Sequence, residues 1–104
     1  MADDRVSQLQ EILAQDPKNQ MARYALALEF MNAGQFETAI LEFRKLLVDH
    51  SAYVPGYQML AQTMMRAGLT DEARDILKKG IDTAGAGGNT KARDEMQGML
   101  DELG

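Results

Sequence analysis

Two similar stretches of the chain decide its fold, and they read LALEFMNAG at 26–34 and LAQTMMRAG at 60–68. They begin 34 residues apart, and each has Leu-Ala at its start and Ala-Gly at its end. The same offset joins further small and apolar residues, among them Ala39 with Ala73, Phe43 with Leu77 and Leu47 with Ile81. Because packing is decided at such positions, the match indicates that one supersecondary unit is repeated.

The apolar residues of each copy have the spacing of an α-helix. Ala39, Phe43 and Leu46 stand at intervals of four and three, which places them on one helical face. No window of the chain shows the sustained alternation of a β-strand. Gly34 and Gly68 are each predicted to end a helix, because glycine adopts the left-handed conformation of a helix C-terminus without steric cost. Each copy is therefore predicted to be a helical hairpin.

Proline, glycine and candidate N-cap residues mark the helix boundaries in the rest of the chain. Asp16-Pro17 is predicted to end a leading helix that looks like the second half of a hairpin. Pro55 is predicted near the first position of a helix, and Thr70 is predicted to be an N-cap. The glycine-rich stretch 85–89 is predicted to be a flexible break. The predicted organisation is a single domain, 1–104, with a leading cap helix (1–18), repeat 1 (20–53), repeat 2 (54–84) and a trailing cap helix (89–104).

Composition limits the classes of function. The 104 residues include 16 acidic and 11 basic side chains, for a net charge of −5, and 45% of residues are hydrophobic. This charge argues against nucleic acid or an anionic membrane surface as the main partner. The absence of Cys excludes disulfides, thiolate metal sites and Cys nucleophiles. The N-terminus is acidic and no long apolar run follows, so no membrane partner is predicted and the expected location is the cytoplasm.

The 34-residue helical hairpin resembles the tetratricopeptide repeat. The residues that carry the resemblance are Leu26, Ala27, Phe30, Gly34, Phe36, Ala39, Phe43 and Leu46 in the first copy and Tyr57, Leu60, Ala61, Met64, Gly68, Ala73 and Leu77 in the second. The resemblance implies an all-α, right-handed solenoid of two such repeats with capping helices at both ends, about six helices in total. Three residues depart from the family pattern. Arg23 replaces a bulky aromatic, Ser51 replaces a Pro, and Gly80 is expected to weaken the end of the second hairpin.

The resemblance also implies a non-catalytic protein–protein interaction module. In this family the first helices of successive hairpins line a concave groove that holds a peptide or a partner helix. The corresponding residues here are Met21, Tyr24, Leu28, Met31 and Asn32 in repeat 1 and Gln58, Met59, Gln62, Met65 and Arg66 in repeat 2. Tyr24 is the expected anchor, because its ring is apolar and its tip is polar. The Lys and Asn with which some members clamp a chaperone tail are missing, so chaperone-tail binding is not predicted.

Three alternatives accompany this interpretation. The apolar groove residues could be buried beneath the first or last helix of the chain. The protein could instead be a structural self-association module, namely a homodimer, with exchange of the C-terminal helix as one way to form it. RNA binding by a helical repeat is disfavoured by the acidic net charge.

No catalytic residue, metal site or cofactor is predicted. Asp49-His50-Ser51 has the residue types of a catalytic triad, but adjacent residues cannot adopt its geometry, and His50 is predicted to mark a helix C-terminus. The stretch 85–91 lacks the residue order of a phosphate-binding loop and is not preceded by a strand. The dispersed carboxylates are interpreted as solvated faces, and they are Glu11, Glu29, Glu42 and Asp75.

Overall fold

The computed structural model describes residues 2–104, and it describes side chains from residue 4 onward. The described residues form six helices and no strand. The helices are α1 (Ala2–Gln15), α2 (Gln20–Asn32), α3 (Phe36–Asp49), α4 (Val54–Arg66), α5 (Thr70–Ala86) and α6 (Thr90–Leu103). The prediction of an all-α chain with six helices is confirmed.

The chain divides into two compact units, one ending at Ser51 and the other beginning at Ala52. The first unit contains α1, α2 and α3, and the second contains α4, α5 and α6. The division falls close to the predicted boundary between the two repeats at 53 and 54. The grouping of both repeats into a single domain stays a prediction.

In the first unit, α2 packs between α1 and α3. Phe43 of α3 is fully buried, and its ring lies edge-on to that of Tyr24 of α2, with the ring centroids 6.2 Å apart. Leu13 of α1 is buried in one cluster with Ala22 and Leu26 of α2. Burial of this apolar surface is the main source of stability for helices that are short on their own.

The second unit has its core between α4, α5 and α6. Leu60, Leu77 and Met96, one from each helix, are almost completely buried. A Cβ atom added at Gly80 of α5 would lie 2.6 Å from the Met96 Sδ atom and 2.9 Å from the Tyr57 Cβ atom. Gly80 therefore allows these helices to approach closely, and its expected effect on the stability of the hairpin stays a prediction.

Three glycines in the connections between helices have positive φ and follow the end of a helix, namely Gly34 (φ +78°), Gly68 (φ +81°) and Gly88 (φ +74°). After each glycine, the next residue donates its backbone N–H to the carbonyl oxygen five residues earlier, at 2.8–2.9 Å. This pattern is the Schellman motif, and it confirms that Gly34 and Gly68 end helices. The bounds of α5 also correct two predictions. The stretch 85–89 is not a flexible break, since α5 continues to Ala86, and Leu69 rather than Thr70 is the N-cap of α5.

The helices keep the 34-residue register of the sequence. The second helices of the two hairpins begin at Phe36 and Thr70, and α1 begins 34 residues before the first of them, at Ala2. The first helices, α2 and α4, begin at Gln20 and Val54 with the same offset. By its register, α1 is therefore a second helix of a hairpin.

Candidate protein-interaction surface

The exposed face of α2 contains four of the five residues predicted to bind a partner from repeat 1. Met21 is 80% exposed, Asn32 is exposed, and Tyr24 and Leu28 are half-buried. Met21, Leu28 and Asn32 are separated by seven and four residues, so they lie on one side of the helix. This side is largely apolar, with a polar residue at its C-terminal end.

Met31 does not belong to this face. It is only 5% exposed and lies in the core with Leu26 and Ala27. The prediction that Met31 contacts a partner does not fit this structure, because a side chain already packed in the core offers almost no surface to another molecule.

In the second unit, the predicted residues of α4 are less apolar. Gln62 and Arg66 are exposed, and Met59 and Met65 are half-buried. The Gln58 side chain donates a hydrogen bond from Nε2 to Glu95 Oε2 of α6 at 3.0 Å. The Gln58 side chain is thus already hydrogen-bonded to the last helix.

Arg23 and Glu42 form an ion pair that sequence analysis missed. Arg23 Nη1 lies 2.7 Å from Glu42 Oε1, and only 15% and 10% of the two side chains are exposed. Glu42 Oε2 also accepts from Lys45 Nζ at 3.3 Å, and Arg23 Nη2 donates to the Pro17 carbonyl oxygen at 3.0 Å. The interpretation of Glu42 as a solvated carboxylate is wrong. The departure from the family pattern at Arg23 was the signal that a polar partner had to lie nearby.

A groove of about 310 Å³ lies between α1 and α2. We call it the α1–α2 groove, and it is lined by Arg5, Leu9 and Ile12 of α1, and by Asn19, Met21, Ala22 and Ala25. Ile12 is 45% exposed although it is apolar, and Arg5 Nε is bound to Glu29 Oε1 of α2 at 2.6 Å. Of these residues, only Met21 is among the predicted partner-binding residues, because the sequence predicts a cap at α1.

The residue types of a catalytic triad at 49–51 do not form one. His50 is the C-cap of α3, as predicted, and its Nε2 atom lies 2.7 Å from the Lys18 carbonyl oxygen. The ring therefore joins the end of α3 to the α1–α2 connection. Within the described residues, no group of three or more His, Cys, Asp or Glu side chains could hold a metal ion. None of the described helices combines the length and the apolar character required to cross a membrane.

Comparison with known proteins places the chain among helical-repeat proteins. Residues 1–58, more than half of the chain, match a family model described as Tetratricopeptide repeat. The chain belongs to the tetratricopeptide repeat family. The resemblance recognised in the spacing of Gly34 and Gly68 is thereby confirmed.

Relatives of this tetratricopeptide repeat protein occur in several bacteria. A TPR repeat-containing protein of Pseudomonas aeruginosa is 27% identical over 95 residues, which are 91% of this chain and 90% of that protein. The solution structure of a tetratricopeptide repeat domain protein from Salinibacter ruber is 31% identical, with a TM-score of 0.78 over 85% of this chain and 89% of the other. A Bordetella parapertussis protein, BPP2914, is 26% identical, with a TM-score of 0.82 over 94% and 85% of the two chains.

These similarities establish the fold class and a general role. The all-α helical-repeat solenoid predicted from the sequence is confirmed by these similar solved structures, one of which is a tetratricopeptide repeat domain protein. Tetratricopeptide repeat proteins are in general protein–protein interaction modules and non-enzymatic scaffolds.

Proposed function

We propose that this tetratricopeptide repeat protein binds a peptide or a partner helix of another protein through the exposed face of α2 in its first unit, without any chemistry of its own, and that the exposed face of α4 is a separate binding surface of the second unit. The observation that carries the proposal is the apolar side of α2, on which Met21 is 80% exposed and Leu28 is half-buried. Exposed apolar side chains that lie together on one helix mark an interaction surface more often than isolated ones do.

The two faces would contribute differently to binding. On α2, burial of Met21, Tyr24 and Leu28 would supply the affinity, because each removes apolar surface from water. On α4, in the other unit, Gln62 and Arg66 are exposed polar groups that would form hydrogen bonds with a partner. Met59 and Met65 are flexible side chains that adapt to apolar groups of different shape.

The net charge of −5 supports a protein partner over nucleic acid or an anionic membrane. The alternative of a homodimer swapped through α6 has less support. A swap needs a hinge that opens, whereas α6 follows the ordered turn at Gly88, and its Met96 is completely buried.

To test this proposal, peptides that bind the wild-type protein are selected from a displayed library. The binding site of the best peptide is then mapped by NMR chemical-shift changes of the protein. Leu28→Ala combined with Asn32→Ala should weaken binding at least tenfold while circular dichroism stays unchanged. The matched control is Val48→Ala on α3, since Val48 is 82% exposed and lies outside both faces. Shift changes confined to α3, or equal affinity in the double variant and the control, would refute the proposal.

A further inference from the structure

We propose that the α1–α2 groove binds an amphipathic helix of a partner protein, one with basic residues beside its apolar stripe, which completes a hairpin with α1. This inference goes beyond the proposed function, because it assigns a binding role to α1, which contributes nothing to the faces of α2 and α4. The two surfaces share only Met21.

The register of the helices identifies what the groove lacks. At the offset of 34 residues, the α1 residues Arg5, Leu9 and Ile12 correspond to Ala39, Phe43 and Leu46 of α3. In α3 all three residues are almost completely buried. In α1, Leu9 is only half-buried, and Arg5 and Ile12 are exposed. Equivalent residues are thus covered by a neighbouring helix in α3 but are left partly or fully exposed in α1.

In the two complete hairpins, the helix that precedes the second helix covers these equivalent residues. Phe43 of α3 lies against Tyr24 of α2. Gly80 of α5, the counterpart of Leu46, lies so close to α4 that an added Cβ atom would be 2.9 Å from the Tyr57 Cβ atom. On α1 the corresponding residues line the open groove instead. A helix is therefore the occupant whose shape fits this position.

The walls of the groove specify the chemistry of that helix. Leu9, Ile12 and Met21 require apolar side chains opposite them, and the small side chains of Ala22 and Ala25 allow a helix backbone to approach closely. Such a stripe recurs every three to four residues on an amphipathic helix.

The acidic residues near the groove favour a partner helix that has basic residues on either side of its apolar stripe. Asp4 and Glu11 are exposed, and each directly precedes a groove residue, Arg5 or Ile12. The cation that α1 contributes to the groove, Arg5, is already bound to Glu29. With the net charge of −5, this leaves an excess of negative charge around the groove that attracts a basic helix.

The same charges argue against a second copy of the chain as the occupant. Two copies meeting at this groove would bring Asp4 and Glu11 of both α1 helices together, which is unfavourable for like charges at close range. The apolar residues of α6 are also in use, since Met96 is completely buried and Met99 and Leu100 are half-buried in their own unit.

The test uses a fluorescein-labelled peptide with the sequence of residues 20–33, since α2 is the helix that covers the equivalent face of α3. Residues on its outer face are replaced by Lys in one peptide and by Glu in a matched second peptide. Fluorescence anisotropy with the full chain should give at least tenfold tighter binding of the Lys peptide, and this preference should shrink as salt is added.

Two variants locate the binding site. Ile12→Asp should weaken the Lys peptide at least tenfold, whereas Leu28→Ala with Asn32→Ala, which tests the proposed function, should leave its affinity unchanged. In case Ile12→Asp perturbs the packing of α1, Asp4→Lys with Glu11→Lys changes only exposed residues and should reverse the preference between the two peptides.

The inference is overturned if neither peptide binds, if both bind equally, or if affinity survives both α1 variants. It is also overturned if sedimentation finds a dimer of the free chain that Ile12→Asp dissociates, because a second copy would then occupy the groove.

Discussion

Arg23 of α2 and Glu42 of α3 are joined across the first hairpin by an ion pair of 2.7 Å that is almost entirely removed from solvent. The pair stands at a place where the family has a bulky aromatic residue, so a charged contact replaces an apolar one. Removing one partner of such a pair is costly, because it leaves the other charge buried without compensation.

Glu42→Ala should therefore lower the free energy of unfolding by about 2–4 kcal/mol. The double variant Arg23→Leu with Glu42→Leu should recover most of this loss, since two apolar side chains can pack where the ions were. Urea denaturation of the single and double variants measures both effects. Glu11→Ala is the control, because Glu11 is exposed and its removal should change stability by less than about 0.5 kcal/mol. Additive losses in the double variant would contradict the predicted coupling.

Gly80→Ala should destabilise the second unit by about 1–3 kcal/mol, because the new methyl group would overlap the Tyr57 Cβ atom, which cannot move away without its backbone. Gly98→Ala in α6 is the matched control. A Cβ atom at Gly98 would meet nothing within 4 Å, so the better helix propensity of Ala should stabilise by about 0.5–1 kcal/mol. Thermal unfolding of both variants decides the matter, and equal melting temperatures would show that the helices around Gly80 are not closely packed.

Gly88→Ala tests whether the connection before α6 is an ordered turn. Its φ of +74° should make Ala cost about 1 kcal/mol at this position. Gly87, the residue before it, has φ −88°, and an added Cβ atom there makes only ordinary contacts. Gly87→Ala should therefore be neutral or slightly stabilising by comparison. Equal stability of both variants in urea would show that the segment is flexible and that Gly88 does not form an ordered turn.

Ala39→Leu should destabilise the first hairpin by about 1–3 kcal/mol, because Ala39 is fully buried and three further carbon atoms have no space there. Thr38→Leu adds a similar side chain at an exposed position of the same helix and serves as the control. Differential scanning calorimetry should find a lower melting temperature for the first variant only.

The sequence was sufficient to predict the fold wherever the two copies constrain each other. The spacing of Gly34 and Gly68 predicted two helix ends, because only a glycine adopts their positive φ readily. The buried positions Ala39 and Ala73 followed from the same comparison. The ordered turn at Gly88 was missed, because five neighbouring glycine, alanine and asparagine residues give the same composition for a tight turn and for a loose connection.

The candidate surface was predicted less completely, and for a different reason. A helical face identifies which residues lie together but not which of them a neighbouring element covers, so Met31 was assigned to the surface although it is buried. Glu42 was assigned to solvent because its partner Arg23 is 19 residues away in the sequence. Ile12 was overlooked because its exposure depends on a helix that the register implies but the described residues do not provide.

The constant offset from α1 to α3 and α5 has a consequence for how such a protein could change in length. Inserting or deleting a whole 34-residue segment would leave every remaining turn and apolar stripe in phase, since each is repeated at that interval. An insertion or deletion of another length that fell inside a helix would instead rotate the residues after it by about 100° for each residue of mismatch and turn their apolar side toward water. Gene duplication in whole modules is therefore the route of growth that this architecture tolerates.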